Sequence, residues 1–234
     1  VAEPRQGALP LKVSEKESFD TFVQGDSSAL IEAMRKAASA PQWEFFMVTG
    51  PHGCGKSHLL NAIACENPGT FSIDLALARD FSPQFLDVEL PGCAVLDNVD
   101  AIAGDGVWEM ALFGLFNRWY DGRRGALFMS STSSADRIPF ARHDLNTRLM
   151  SGVTVPLAPL SDEDSAKALG LKAAARGITL PEQSCAYLVR SYGRDLRKLS
   201  GILDKLDCAQ LERSHALSIP FIKSALGADQ APGQ

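Results

Sequence analysis

An eight-residue stretch, Gly50-Pro51-His52-Gly53-Cys54-Gly55-Lys56-Ser57, satisfies the phosphate-loop pattern G-x-x-x-x-G-K-[ST] at every position. Its flanks supply the context that the pattern needs. Phe45-Phe46-Met47-Val48-Thr49 reads as a short buried strand, and residues 58–64, starting at His58, read as a helix. In a strand–loop–helix unit of this kind the glycines let backbone N–H groups turn toward a phosphate, and the helix N-terminus faces the negative charge. Lys56 is expected to reach the β and γ oxygens and Ser57 to ligate magnesium. Residues 50–57, with His58 directly after them, are therefore assigned to nucleotide binding. Cys54 inside the loop reads either as a redox-sensitive thiol or as a plain spacer turned away from the nucleotide, and the spacer is the better reading.

The chain has 234 residues, 45% of them hydrophobic, enough to fill the core of one large or two modest domains. A net charge of −5 argues against tight autonomous binding to nucleic acid, which needs a clustered basic surface. No run reaches the length of a membrane span, and the first residues lack a signal-peptide pattern, so a cytoplasmic protein without a membrane partner is expected. Five cysteines without a C-x-x-C suit reduced thiols better than disulfides or zinc.

Short apolar runs recur at 70–73, 94–96, 126–129 and 153–155, separated by helical or polar stretches. Such alternation predicts an α/β fold, a parallel sheet with helices on both faces. A helix is expected over 28–39, ahead of the phosphate loop. After Pro159 the pattern turns wholly helical. Ser161-Asp162-Glu163-Asp164 resembles a capped start and Gly177 a stop; further helices are expected from Pro181, over 195–211 and from Ile219. The expected organisation is a polar arm over 1–15, a nucleotide-binding α/β domain over 16–158, a small all-helical lid over 159–227 and a disordered tail over 228–234.

Cys93-Ala94-Val95-Leu96-Asp97 has the form of a strand that ends in a magnesium-holding carboxylate, a Walker B element. An aspartate closing a strand is commonly only a turn residue, and the phosphate loop is what reverses that preference. Asn98 stands where an acidic residue would polarise an attacking water; an amide orients water but takes no proton, so slow intrinsic hydrolysis is expected. Ser130-Ser131-Thr132 ends the next strand, where a polar group could meet a γ-phosphate or serve as ordinary loop. Arg148 lies on a short expected helix before the last strand. Its permanent charge suits stabilising phosphoryl charge from a neighbouring subunit, and equally a surface ion pair. Arg197, at the start of a lid helix, could reach back onto the nucleotide. Arg123-Arg124 reads as a solvated basic turn.

With the two nucleotide motifs and the helical lid in place, the chain resembles the AAA+ superfamily and, within it, the DnaA-related proteins of the Hda family. The segments carrying the likeness are residues 97–105, Trp108-Glu109-Met110-Ala111-Leu112-Phe113, Pro159-Leu160-Ser161-Asp162-Glu163-Asp164 and Ile219-Pro220-Phe221-Ile222-Lys223. Most of these residues are not demanded by nucleotide chemistry. The resemblance implies bound ADP (or ATP) with Mg2+, held by Lys56, Ser57 and Asp97, with Arg197 as the sensor-two arginine and Arg148 as an arginine finger acting on ATP bound to a partner, the initiator DnaA. Phe22 and Val23 resemble the segment lining the base pocket, or are core. Gln6-Gly7-Ala8-Leu9-Pro10-Leu11 resembles the peptide that holds the sliding clamp, with Gln6 anchoring backbone and Leu9 and Leu11 filling an apolar pocket. DNA would then be met indirectly, through the clamp, in a replisome-associated, possible homo-oligomeric regulator of initiation; no origin-reading domain is expected. The competing expectations are a helicase loader or adaptor, which would not need Gln6, Leu9 and Leu11, and a small-molecule kinase.

Overall fold

The computed structural model describes residues 17–23, 27–40, 42–213 and 217–227. Gln6, Leu9 and Leu11, with the arm that carries them, and the tail over 228–234 lie outside the described residues.

The elements follow in the order α1 (Ser28–Ser39), β1 (Glu44–Thr49), α2 (Lys56–Glu66), β2 (Phe71–Asp74), α3 (Leu75–Ala78), β3 (Cys93–Asp97), α4 (Gly106–Gly122), β4 (Ala126–Ser131), α5 (His143–Leu149), β5 (Val153–Pro156), α6 (Asp162–Ala175), α7 (Glu182–Tyr192), α8 (Leu196–Arg213) and α9 (Ile219–Gly227). The five strands form one sheet in the order β2-β3-β4-β1-β5, and every pairing is parallel. A parallel sheet needs crossover connections, and these cover both faces.

The alternation within each strand shows how the two faces are divided. Phe45, Met47, Ala94, Leu96, Leu127 and Met129 point to one side, into a cluster closed by α4 residues such as Trp108, Leu112 and Phe116. Their neighbours Phe46, Val48, Val95 and Phe128 point to the other, against Ile31 and Met34 of α1 and Leu59, Leu60 and Ile63 of α2. Because successive strand side chains face opposite ways, strands buried on both sides are apolar along most of their length, and β1, β3 and β4 carry polar residues only at their ends: Glu44, Thr49, Asp97, Ser130 and Ser131.

The lid begins as its sequence suggested. Ser161 caps α6 by accepting the Asp164 N–H at 3.0 Å, three acidic residues fill the first turn, and Gly177 (φ 75°) follows the last turn. Helices α6 to α9 close a separate apolar cluster that includes Leu169, Leu188, Leu199, Leu203 and Ile222. Among the described residues no helix is long and apolar enough to cross a membrane.

Candidate nucleotide site

The loop between β1 and α2 is pinned at its entrance by strands on either side. Gly50 N–H donates to Ser131 O at 3.3 Å, and Leu157 N–H donates to Thr49 O at 2.7 Å. Gly53 and Gly55 hold φ of 76° and 101°, a left-handed region that L side chains rarely adopt. Gly53 is doubly constrained, since a Cβ there would fall 2.8 Å from Asp195 Cγ and 3.2 Å from its Cα, at the foot of lid helix α8. Lys56, only 5% exposed, turns its Nζ into the loop and donates to Gly50 O at 2.6 Å and Pro51 O at 2.9 Å. That ammonium is thus positioned where β and γ phosphate oxygens bind in loops of this form.

Cys54 is buried in the core and also borders the larger cavity beside the loop, and burial pushes its thiol pKa up. His58 is also buried; it borders the phosphate-side cavity and has a structural contact as well. Its Nε2 lies 3.1 Å from Thr21 Oγ1 and 3.0 Å from Ser18 O, which ties the segment entering the domain to α2. Burial, then the Lys172 charge, lowers its pKa, so the ring is neutral.

Behind the loop, Asp97 ends β3 with 7% exposure. Burial raises its pKa, while hydrogen bonds from the Ser130 and Ser57 hydroxyls act against that rise. Ser130, rather than Ser131 or Thr132, is the strand-β4 residue that reaches Asp97. Side chains alternate along a strand, so a slip of one residue exchanges the sheet faces. Thr132 instead donates from both N–H and Oγ1 to Asp100, and lines the adjoining cavity. Asn98 adopts a left-handed conformation (φ 56°) and donates its side-chain amide to Asp74 Oδ1 at 2.9 Å.

Two cavities border the phosphate loop and make up the candidate cleft. The larger, about 970 Å3, is lined by Phe22, Val23, Gly50, Leu157, Pro159 and Arg194. Phe22 packs against the core beneath α1 and α2, and Val23 against the lid cluster, so both side chains face the cavity and also stabilise a core. The smaller, about 190 Å3, lies between the phosphate loop and α8, where Lys56, Ser57 and Asn98 meet Lys172 and Arg197. The apolar cavity suits a base and sugar; the cationic one suits phosphates. The pairing of one buried carboxylate with the Ser57 hydroxyl fits a magnesium held mainly by phosphate oxygens and water. No group of three or more metal-ligating side chains occurs among the described residues.

Arg148 lines neither part of this cleft. It sits on α5, half-buried, with its guanidinium carbon 5.2 Å from the Tyr120 ring centroid and 6.0 Å from that of Phe113. It makes no salt bridge among the described residues. Arg142 differs: its guanidinium grips Asp144 at 2.7 and 3.2 Å, and its N–H donates to Glu109. Glu109 was not foreseen as important. It is fully buried and accepts from the Gly104, Ala141 and Arg142 N–H groups at 2.8 to 3.1 Å, which fixes the turn that enters α5. The available signal was a lone carboxylate within the apolar run 108–113. Arg123, expected to be a solvated turn, is exposed yet stacks 4.3 Å over Trp43 and 5.1 Å over Tyr120.

Residues 162–226 match the family model described as Hda, lid domain, and residues 13–72 match that of the bacterial DnaA ATPase domain. The two matches, one at each end of the chain, fit an Hda-like, DnaA-related AAA+ protein. Its fold is similar to domain III of the Thermotoga maritima replication initiation protein DnaA, with TM-score 0.77, 18% identity and coverage of 93% of this chain and 98% of the other. DnaA of Aquifex aeolicus with bound AMPPCP aligns at TM-score 0.66 and 18% identity, over 87% of this chain and 69% of that one. The Thermotoga maritima RuvB Holliday junction branch migration motor aligns at 0.68 and 12%, over 91% and 72%. These likenesses place the chain in the α/β AAA+ fold with a helical lid, and the two family-model matches support a DnaA-related regulator family.

Proposed function

We propose that this Hda-like chain, with ADP (or ATP) and Mg2+ in the cleft, binds the initiator DnaA and promotes hydrolysis of the ATP that DnaA carries. Lys56, Ser57, Asp97 and Arg197 hold nucleotide and metal, Phe22 and Val23 bound the base pocket, and Arg148 is a finger acting in the partner's site. The observation that carries this reading is the Arg148 guanidinium: uncompensated by any carboxylate among the described residues, and remote from the chain's own cleft. A guanidinium paired like that of Arg142 would have to break an ion pair before it met a phosphate. Bound nucleotide acts as a structural ligand that holds lid and core together, a role supported by the closeness of Gly53 to Asp195 and of Arg197 to the phosphate loop.

Gln6, Leu9 and Leu11 tether the protein to the DNA-loaded sliding clamp, so that contact with DNA is indirect and local concentration near the initiator is raised. Self-association and association with the replisome in the cytoplasm belong to the same proposal. The experiment measures ATP hydrolysis by purified DnaA with loaded clamp and ADP, in the presence of the native chain, Arg148→Ala or Gln6→Ala. Stimulation by the native chain that both variants lose, while each still binds ADP, is the expected result. No stimulation by the native chain removes the reading, and a retained effect in Gln6→Ala removes the tether alone.

A further inference from the structure

Three arginines and three aromatic rings alternate along the surface formed by α4, α5 and the start of β1. Arg123 lies over Trp43 and Tyr120 at 4.3 and 5.1 Å, Arg148 over Tyr120 and Phe113 at 5.2 and 6.0 Å, and Arg142 over Phe113 at 4.6 Å. Within this series Tyr120 has a special place, since two guanidiniums share its ring and neither has a carboxylate partner in ion-pair range among the described residues. Two like charges beside one ring repel each other. They remain there because a ring quadrupole attracts cations without neutralising them.

The ring itself has little freedom. Trp43 meets Tyr120 edge-on at 5.3 Å and 68°, and Phe116, fully buried, stacks at 6.3 Å and 19°. Trp43 is in turn stacked on buried Trp119 at 5.5 Å. A long arginine on a short helix would otherwise sample many rotamers, and each ordered side chain costs about 1 to 2 kcal/mol of entropy.

We infer that Tyr120 is the positioning residue of the Arg148 finger: its clamped ring pre-orders the guanidinium, uncompensated, for an anionic phosphoryl group presented by a second protein. The inference rests on the finger reading above. The phenolic oxygen takes no part, so the ring alone is the working element. A carboxylate in the same place would order Arg148 equally well, but would spend its charge.

The test uses full-length protein with ADP, loaded clamp and DnaA, and compares Tyr120→Leu, Tyr120→Phe and Arg148→Ala. Tyr120→Leu should lower the maximal stimulated rate about tenfold, with the half-saturating concentration changed less than about twofold, and Tyr120→Phe should keep the native rate within about twofold. Thermal unfolding and ADP binding check that each variant is folded. A second measurement needs neither partner nor variant: in isotope-labelled native protein, ring currents from Tyr120 should shift the Arg148 side-chain protons upfield. Native-like stimulation by Tyr120→Leu while Arg148→Ala is inactive overturns the positioning role and leaves the finger standing. Full stimulation by Arg148→Ala overturns the finger, and the positioning role with it. An unshifted Arg148 resonance in the native protein also overturns the positioning role.

Discussion

At the level of single residues, the site is built from groups whose ordinary chemistry has been displaced by burial. Lys56 donates to two loop carbonyls, which holds its charge inside the loop that we propose cradles phosphate. Replacing it with alanine should weaken ADP binding at least about 100-fold by calorimetry, since a desolvated charge-to-phosphate contact is lost. Asp97 illustrates a cost. Burial raises its pKa, so the folded chain disfavours its charged form, the form that the proposed magnesium site would use. The sign of the linkage follows: below the unfolded-state value both states are protonated and there is no penalty, and as pH rises through the raised folded-state value the penalty appears in full. Asp97→Asn, whose amide oxygen still accepts from Ser130 and Asn98, should therefore raise the melting temperature at pH 7 by roughly a few degrees. That gain should vanish near pH 3, and Mg2+ should no longer strengthen nucleotide binding. A lower melting temperature at pH 7 would contradict the assignment.

Single contacts also decide how whole elements are aimed. The three N–H groups that converge on Glu109 come from residue 104 and from the neighbouring residues 141 and 142, more than thirty positions later, and together they set where α5 begins and so where Arg148 emerges. Glu109→Ala takes the acceptor from three part-buried N–H donors and should cost about 1 to 3 kcal/mol in denaturant unfolding, with stimulation of the partner lost beyond what stability explains. The 3-10 turn Phe19–Thr21 depends on His58 in a similar way. Because the buried ring is held neutral, the unfolded chain takes up a proton that the folded chain refuses once pH falls below about 6.5. Stability should drop between pH 7 and 5, and a His58→Gln variant should show a flatter profile over that window in thermal melts.

Over the whole molecule, the short segment 17–23 joins core and lid. Glu17 accepts from Asn61 of α2 at 2.6 Å and pairs with Lys172 of α6 at 3.6 Å, while Phe22 and Val23 divide between the two apolar clusters. The phosphate loop meets the lid at Gly53 and Asp195, where no side chain fits. Gly53→Ala should hold the lid off the loop and reduce ADP affinity by about tenfold or more, with both clusters intact by circular dichroism. ADP at 100 times its Kd should stabilise the native chain by about 2.7 kcal/mol, and the variant by much less at the same concentration.

Much of this was legible in the chain itself. The five strands fall where apolar runs were read, with ends shifted by one or two residues; for the three central strands the reason is that a doubly buried strand is largely apolar whatever its neighbours are, while the edge strands β2 and β5 are only partly buried. The helix over residues 28–39, the Ser161 cap and the stop at Gly177 were equally visible, since caps and glycines act locally. The phosphate loop, Asp97 and the lid carried enough signal for a family to be recognised. Strand order, however, depends on crossovers, and no local pattern encodes it. The choice of Ser130 over Ser131 as the partner of Asp97 turns on a face that reverses with every residue. The burial of Glu109, the engagement of His58 with Thr21, and the sharing of Tyr120 by Arg123 and Arg148 join residues that only the folded chain brings together. Sequence by itself determined the local chemistry and the elements, because these arise from neighbouring residues. Tertiary structure alone decided which charges are compensated and which are left exposed to a partner, because compensation is a matter of distance in space.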